Sequence, residues 1–491
     1  MKFIEILKPK KIALYTALIV GSSFFIVACD NAKTPNSIEK PAEMSQQQLS
    51  DFIKTSISNF IIKYNQAQSF ATISLESFMP STDDQQITMV LRAAIVNLSD
   101  NTEQPIIIDL TYLITPEQSL QNDVYTVAKF TSQKMSFNNN SSDADDSFTL
   151  FAQKLISDAG LTENGYIIAS GDILSEIKSK NGFDYVNEDG SDELTAFNIA
   201  PSSYHFQTKE NMSLVDVNYN LPSLTFEFDD ANVSIKNIST QQLDHSFDDK
   251  FSYTGQNLYK IDSVNINNEN DNIVLKNIII ETKSNITDNG FANQYVSSSL
   301  SGTFPNAAGK LVDFSSSGNL KVENLNLEAA QKWNQYFSNP AFAYMHDDAE
   351  KLELLSDLFK DGFSFAISDT NIELDGDRGT VDFSLDIAPM NISKTAKPST
   401  VFMQVFNNIT IQVNSELPVQ WFNALGAGMS QDELDKMIKQ SVQQIDMMGY
   451  EGALAYDGKK LTAHFEIKKG NVFVNGELKG SLINTLAPFM Q

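Results

Sequence analysis

The stretch SLVDVNYNLPSLTFEFDDANVSIKNI (Ser213–Ile238) alternates apolar and polar residues along nearly its whole length. A period of two places the apolar side chains on one face of an extended strand, since successive side chains point to opposite faces of a sheet. Asp229 and Asp230 interrupt the alternation with two residues that favour turns. The stretch therefore predicts a β-hairpin with one apolar and one polar face.

The same pattern recurs towards the C-terminus. Pairs of alternating runs separated by Asn, Asp or Gly occupy Leu258–Asn285 and Gly309–Leu327, and each predicts a hairpin or meander. Strand-like runs also lie between about residues 70 and 135, whereas the polar residues 180–210 are hard to assign. Further turns are predicted in three places: Asp375–Gly379, Asp457-Gly458 and Lys469-Gly470.

Apolar residues at helical spacing follow Ser45, which forms a capping box with Gln48 and predicts an amphipathic helix to about Gln68. We expect this helix to pack on a core rather than on a membrane, because its polar face is not rich in lysine. Ser430 and Glu433 form a second capping box at the start of the last predicted helix. Shorter helices are predicted over Phe148–Leu161, Leu327–Phe337, Asp347–Phe359 and Gln431–Met447.

Several long strands followed by a short helix predict an α+β, β-rich fold, with a long antiparallel twisted sheet or groove and a few short packing helices. The edges of so long a sheet must be charged, covered or paired with a partner. The predicted division is a signal peptide over 1–28, a linker over 29–44, a helix with a β-rich region over 45–210, and a β-meander region over 211–491.

The composition argues against several classes of function. The formal net charge is −27, from 62 acidic and 35 basic residues, and no cluster of Lys and Arg follows Lys11. Nucleic acid is therefore a poor partner, because its backbone is bound by clustered positive charge. The single cysteine, Cys29, allows neither an intramolecular disulfide nor a cysteine-rich metal centre.

The N-terminal segment has the layout of a secretory signal, with a lysine-rich flank, an apolar run from Ile12 to Ala28 and then polar residues. The run ends in Ile26-Val27-Ala28-Cys29, which resembles a bacterial lipobox. Cys29 is therefore the predicted lipidation site, where the thiol takes a diacylglycerol as a thioether, and several acyl chains anchor a protein stably. An uncleaved membrane anchor and a chance free thiol are the alternatives.

Either kind of anchor places the rest of the chain outside the cytoplasm, because the lysine-rich flank stays inside. Asp30 directly follows the predicted lipidation site and resembles the inner-membrane retention signal of enterobacterial lipoproteins. We therefore assign Asp30 to membrane sorting and expect the inner membrane rather than the outer. The membrane, reached through lipidated Cys29, is the partner that this segment implies.

Two stretches, with a weaker third, resemble a known family. Leu354–Asn391 contains a helix, a strand, Asp-Gly and a second strand, and Met447–Gly480 ends in a strand with Val474-Asn475-Gly476. With the weaker match SYTGQNLYKIDSVNI (Ser252–Ile266), they resemble the YdgA-like family of bacterial envelope proteins of unknown function. The resemblance spans about residues 250–480 and implies a membrane-tethered envelope protein. It brings no catalytic residues and no cofactor.

Members of that family typically carry an N-terminal membrane anchor, from which the lipobox departs, although either device tethers the same kind of domain. The family is also similar to AsmA-like envelope proteins, whose β-grooves are linked to lipid transport. That likeness lies at the level of the fold.

Residues suited to catalysis are scattered along the chain. No P-loop, G-x-S-x-G or G-x-G-x-x-G motif is present, and the alternation between Asp369 and Gly376 favours a strand over a calcium loop. Core packing is expected for Trp333 and Trp421. The histidines match no metal-ligand spacing: His205, His245, His346 and His464. We therefore predict no catalytic residue, no metal and no cofactor.

The leading hypothesis is a non-enzymatic, periplasm-facing lipoprotein that serves envelope maintenance by binding a lipid-like ligand or a protein partner. One alternative is an envelope hydrolase, since the order of a Ser–His–acid triad varies between folds. The other is an assembly protein that pairs through a sheet edge, with a second copy or another envelope protein. A continuous apolar groove would favour lipid handling, and a fully packed interior would exclude it.

Overall fold

A computed structural model of the chain describes residues 42–481 with gaps at 68–70, 82–85, 96–105, 122–123, 138–153, 155–156, 187–193, 247–253, 269–271, 307, 331–347, 394 and 426–429. The described residues divide between two compact units, Met1–Lys260 and Ile261–Gln491, and each is described by itself. Every strand pairing whose register is described is antiparallel. None of the helices within the described ranges has the length and apolarity needed to cross a membrane.

The first unit begins with helix α1 (Gln46–Ala67) and continues as strands. Pairing runs in the order β1-β2-β3-β4-β5-β6-β9-β10-β11, while β8 pairs with the second half of β10 and β7 pairs with β8. The strands are β1 Ala71–Pro80, β2 Ile87–Ile95, β3 Ile106–Gln121, β4 Val124–Phe137, β5 Leu161–Ile168, β6 Ile173–Ser179, β7 Phe183–Val186, β8 Leu194–Ile199, β9 Ser203–Lys209, β10 Leu214–Phe228 and β11 Ala231–Ser246.

The hairpin predicted from Ser213–Ile238 is confirmed. Strands β10 and β11 are joined by the two residues Asp229 and Asp230, and Phe226 lies opposite Val233 in the register. The predicted capping box of α1 is also present, since Ser45 N–H donates to Gln48 Oε1 at 2.9 Å and Gln48 N–H donates to Ser45 Oγ at 3.3 Å.

Helix α1 packs its apolar face on the sheet of the first unit. Ile53, Ile57 and Phe60 are almost fully buried, in one cluster with Leu91 and Ile114 of the sheet. This is the core position that the sequence pattern predicts for the helix.

Asn65, near the C-terminal end of α1, forms two hydrogen bonds with strand β1. Its side-chain amide donates to the carbonyl of Ile73 at 2.8 Å, and its Oδ1 accepts from the N–H of Ile73 at 2.8 Å. Strand β1 pairs with β2 through a separate register. The Asn65 side chain therefore occupies the N–H and the carbonyl of Ile73, which a further strand pairing with β1 would otherwise hydrogen-bond.

The second unit has long strands with short helices between them. Strand β12 (Gly255–Asn268) contains the boundary between the units, and pairing then runs β13-β14-β15-β16-β17-β18-β20-β21-β22, with β19 on β20. Its elements are β13 Asn272–Ile286, β14 Phe291–Pro305, β15 Leu311–Asn326, α2 Asp348–Phe359, β16 Phe363–Leu374, β17 Asp377–Ile387, α3 Pro398–Asn408, β18 Ile409–Pro418, α4 Gln420–Ala424, α5 Gln431–Met447, β19 Leu454–Tyr456, β20 Lys460–Lys468, β21 Asn471–Val474 and β22 Glu477–Ser481.

The strand-rich, antiparallel part of the predicted fold is confirmed, and the helices are few. The turn between β16 and β17 is Asp375-Gly376, with φ of 52° and 91°, and that between β20 and β21 is Lys469-Gly470, with φ of 50° and 72°. Positive φ at both central residues is the geometry of a tight hairpin turn, which explains the glycines. Of the predicted helices, Leu327–Phe337 is helical over 327–330 and otherwise lies, like most of Phe148–Leu161, outside the described residues.

Two expectations need correction. Gly309–Leu327 is one strand, β15, and not a hairpin, since Gly318 lies mid-strand opposite Ser298. Helix α3 was not predicted, although Pro398 stands at its first position, where proline is favoured. The predicted division into four segments stays a prediction, and residues 210 and 211 lie between the paired strands β9 and β10.

Bulges interrupt the pairing of β11, β15 and β16. At each, the register shifts beside an Asp or Asn with positive φ: Asp244 (54°), Asn324 (57°) and Asp369 (52°). Bulges bend a strand and increase its local twist. A side chain of the neighbouring strand accepts a backbone N–H at each bulge: Asp216 from Asp244 at 2.8 Å, Asn293 from Asn324 at 3.0 Å, and Asp382 from Thr370 at 3.3 Å.

Candidate functional site

The two site residues predicted at the N-terminus, Cys29 and Asp30, lie outside the described residues. The same holds for His346 and Trp333. Lipidation at Cys29 and membrane sorting at Asp30 therefore stay predictions.

The three described histidines lie on different strands. His205 Nδ1 on β9 is 3.4 Å from Glu176 Oε1, His245 on β11 is buried, and His464 on β20 is exposed. Within the described ranges no group of His, Cys, Asp and Glu is arranged to hold a metal ion. Residues from Asp369 to Leu374 belong to β16 and Asp375-Gly376 to its turn, as the alternation predicts.

Trp421 packs against β17 and has a structural role. Its Nε1 donates to the carbonyl of Asp377 at 2.9 Å. A Cβ added to Gly379 would lie 2.6 Å from Trp421 Cη2, so the ring needs a glycine beneath it. Trp421 thus packs against a strand but is half-buried, and it belongs to none of the buried clusters of the described residues.

Apolar side chains line up across the second unit from strand to strand. In an antiparallel sheet, directly opposite residues point to the same face. The register of β14 to β20 aligns six apolar residues on one face, here called row 1: Val296, Leu320, Ile367, Phe383, Val413 and Phe465. All six are only half-buried.

A second row runs beside the first, two residues along each strand. Row 2 shares its face with row 1 and crosses β15 to β21: Val322, Phe365, Leu385, Ile411, Ile467 and Val472. Val472 is buried and the other five are half-buried. The two rows together form a continuous surface without a charged or hydrogen-bonding side chain, here called the apolar rows.

The opposite face of the same strands is polar. Tyr295, Lys321, Ala366, Ser384, Gln412 and Glu466 follow one another there in register. Glu323 accepts a hydrogen bond from Tyr295 Oη at 2.7 Å, and its Oε2 lies 2.8 Å from Lys321 Nζ. Lys321, and after it Tyr295, lower the pKa of Glu323 below its usual range. This face thus carries charged groups, whereas the other carries half-buried hydrocarbon.

Helix α5 covers one end of the apolar rows. Its capping box is present, since Ser430 N–H donates to Glu433 Oε2 at 2.9 Å and Glu433 N–H donates to Ser430 Oγ at 3.3 Å. Ile445 of α5 packs in a cluster with Phe465 and Ile467, the residues of both rows on β20. The rows on β15 to β18 belong to no buried cluster of the described residues.

In the first unit, a small cavity lies beneath α1. The cavity of about 20 Å³ between α1 and the sheet is lined by apolar side chains and Tyr112. It is large enough for a water molecule but for no larger ligand. This cavity is not a ligand site.

A buried carboxyl group lies beside that cavity. Tyr112 Oη donates to Glu163 Oε2 at 2.6 Å, and Ser175 Oγ donates to Glu163 Oε1 at 2.7 Å. Burial raises the pKa of Glu163 to about 8, and the two hydrogen bonds offset part of the rise. The group links β3, β5 and β6 and is sealed from solvent, so it acts in stability rather than in chemistry on a ligand.

The sequence analysis predicted neither the apolar rows nor the buried carboxyl group of Glu163. The alternation in each strand was visible, but the register that aligns the strands into rows depends on turns and bulges. Glu163 stands in LTENGYII (Leu161–Ile168), and its residue type favours an exposed position. The alternation of Glu163 with Gly165 and Ile167 on one face is the signal that could have marked it as inward-facing.

Residues 161–478, more than half of the chain, match the model of a family described as bacterial protein of unknown function, DUF945. The match covers all of the apolar rows and the strand that carries Glu163. Neither a curated protein nor a solved structure matches the chain.

Proposed function

The chain belongs to the DUF945 family of bacterial proteins of unknown function, and we propose that it is an envelope lipoprotein that binds a lipid-like ligand. In this proposal Cys29 carries the anchor, the remaining chain faces the periplasm, and the role is envelope maintenance without catalysis. The YdgA-like resemblance of residues 250–480 supports a tethered envelope protein of this type.

The observation that carries the proposal is the pair of apolar rows. Contiguous apolar surface that stays accessible is unusual on a soluble protein and marks a binding site. The rows offer no hydrogen-bonding side chain, so they suit a ligand that needs only hydrocarbon contact. A hydrocarbon chain meets that condition, whereas a peptide would bring backbone polar groups to be satisfied.

The proposed anchor has its own support in the sequence. The apolar run ends at Cys29, where a polar, proline-containing linker begins, and Asp30 follows at the position that sorts enterobacterial lipoproteins. We propose retention at the inner membrane. A lipid-binding domain tethered there would meet membrane lipids at short range.

The test is lipid binding by the purified mature protein. We expect lipid extracts of the protein to contain acyl lipids by mass spectrometry, and the delipidated protein to bind a phospholipid with a fluorescent acyl chain. Phe383→Thr combined with Leu385→Thr places hydroxyls in both rows while keeping residues that favour strands. Loss of two apolar contacts should weaken binding at least tenfold, because burying one such side chain contributes about 1.5–3 kcal/mol.

Gln412→Thr is the matched control, because Gln412 is exposed on the polar face of the adjacent strand. It should leave binding unchanged, and circular dichroism should show all variants folded. Absence of lipid from the extracts, together with equal probe binding by wild type and the double variant, would refute the proposal.

A further inference from the structure

We propose, resting on the proposed function, that the ligand is a two-chain acyl ester that lies across the strands, with its ester group at Ser284. The acyl chains follow rows 1 and 2 towards α5. The ester carbonyl accepts a hydrogen bond from the Ser284 hydroxyl on β13.

The dimensions of the apolar rows suit two chains side by side. Each row crosses six strands, and five steps of about 4.8 Å give a length of about 24 Å. The rows lie two residues apart along each strand, which corresponds to roughly 7 Å. An acyl chain of a membrane lipid spans about half of a hydrocarbon core that is ~30 Å thick, so each row is long enough for one chain.

The two ends of the rows differ in chemistry. At β20 and β21 the rows end at a buried cluster of Ala453, Val472 and Val474, against which Ile445, Tyr450, Phe465 and Ile467 all pack. At β13 and β14 they end in polar, uncharged residues: Thr282 opposite Val296, and Ser284 opposite Gln294, which is itself opposite Val322. An amphiphile in the rows therefore has one orientation, with its polar group at β13.

Ser284 has a buried hydroxyl group that lacks a hydrogen-bond acceptor among the described residues. Its side chain is only 8% exposed, and among the described residues its Oγ has no hydrogen-bond partner. A buried hydroxyl without a partner is costly, and it would donate to any acceptor brought to it.

The acceptor that fits is uncharged. Glu281 and Lys283, the charged neighbours of Ser284 on β13, lie on the opposite face, and their charged groups are 2.9 Å apart. Among the residues that the structure describes, the polar end of the rows thus offers hydroxyl and amide groups and no cation on this face. A phosphate would lack a countercharge there, whereas an ester carbonyl needs one donor.

The test compares a diacylglycerol with its dialkyl ether analogue, which has the same chains and no carbonyls. The delipidated, mature full chain should bind the diester about fivefold more tightly, the equivalent of about 1 kcal/mol for one hydrogen bond. Ser284→Ala should abolish the preference and Ser284→Thr should retain it. Ser298→Ala, at an exposed serine on the same face of β14, should leave the preference intact.

A second measurement does not depend on ligand. Without lipid, Ser284→Ala should be at least as stable to urea as wild type, because the variant removes an unsatisfied buried hydroxyl. An ester preference that survives in Ser284→Ala, or equal binding of diester and diether by wild type, would overturn the assignment and leave the proposed function standing. If wild type binds neither lipid, the proposed function fails with it.

Discussion

At the residue scale, Asp and Asn residues stabilise the bulges at which the strands depart from regular pairing. Asp244, Asn324 and Asp369 take positive φ, a conformation that Asp and Asn tolerate better than other side chains. The bulge leaves a backbone N–H without its usual strand partner, and Asp216, Asn293 or Asp382 accepts it from the neighbouring strand. The acidic composition of the chain thus has structural uses besides solubility.

Glu163 gives the sharpest prediction at this scale. The folded protein keeps a proton on Glu163 up to about pH 8, whereas the unfolded chain releases it above its ordinary pKa of 4.5. The contribution of this group to the free energy of unfolding is therefore full below pH 4.5, falls as pH rises towards 8, and is constant above that. With 1.36 kcal/mol for each pKa unit, the fall is up to ~5 kcal/mol.

Glu163→Gln should remove this dependence, because glutamine keeps the shape and can bond Tyr112 and Ser175 without titrating. Urea unfolding from pH 4.5 to 8 should show wild type losing stability relative to the variant as pH rises. Glu227→Gln, at an exposed glutamate of β10, serves as control and should run parallel to wild type. Parallel curves for Glu163→Gln as well would mean that Glu163 is ionised in the folded protein.

At the element scale, α5 packs through Ile445 against the buried cluster that includes Val472 of the apolar rows, and the start of the helix depends on Ser430. Ser430→Ala removes the hydroxyl that accepts the N–H of Glu433, and it should lower the free energy of unfolding by about 1 kcal/mol. Leu434 and Ile438 of the first turns are almost fully buried, so fraying at this end also loosens their packing.

Ser441→Ala in the same helix is the matched control. Ser441 is exposed and its Oγ donates to the carbonyl of Met437 at 3.1 Å, a bond that adds little to a helix. Alanine has the higher helix propensity, so this variant should match or slightly exceed wild type in urea unfolding. An equal effect of the two substitutions would contradict the capping role of Ser430.

Elements marked by local chemistry could be predicted from the sequence. The residue types of Asp375-Gly376 and Lys469-Gly470 predict these two turns. The two capping boxes predict where α1 and α5 begin. The prediction at Gly318 was wrong, because a glycine within an alternating run resembles a turn. Gly318 instead lies within a strand, at a point where a Cβ would come within 3.2 Å of Thr370 Cγ2. Close approach between strands depends on the register, which no local pattern contains.

At the scale of the whole molecule, the two units are built from similar alternating strands but bury the apolar face of those strands to different extents. The first unit closes its apolar face under α1, with Ile53, Phe60 and Leu91 almost fully buried. The second unit leaves most of the apolar rows half-buried, and its buried clusters lie around α5 and β21. The half-buried face of the second unit is the one to which the proposed function assigns a ligand.

The proposed function also needs the chain to be held at a membrane, which makes Cys29 its last test. Cys29 is the single cysteine of the chain, so no other residue can take a diacylglycerol as a thioether. In cells fed a palmitate analogue, we expect wild type to be labelled and Cys29→Ser to fall to background. The variant should also keep its signal segment uncleaved, because lipidation precedes the cut.

Asp30→Ser is the companion variant, since it should be labelled like wild type and differ only in sorting. Fractionation should find wild type with the inner membrane and Asp30→Ser shifted towards the outer. Equal labelling of Cys29→Ser and wild type would exclude lipidation, and the apolar run Ile12–Ala28 would then have to serve as an uncleaved anchor. That run has the shortest length that can span a hydrocarbon core, so an uncleaved anchor would depend on the flanking lysines reaching the interface.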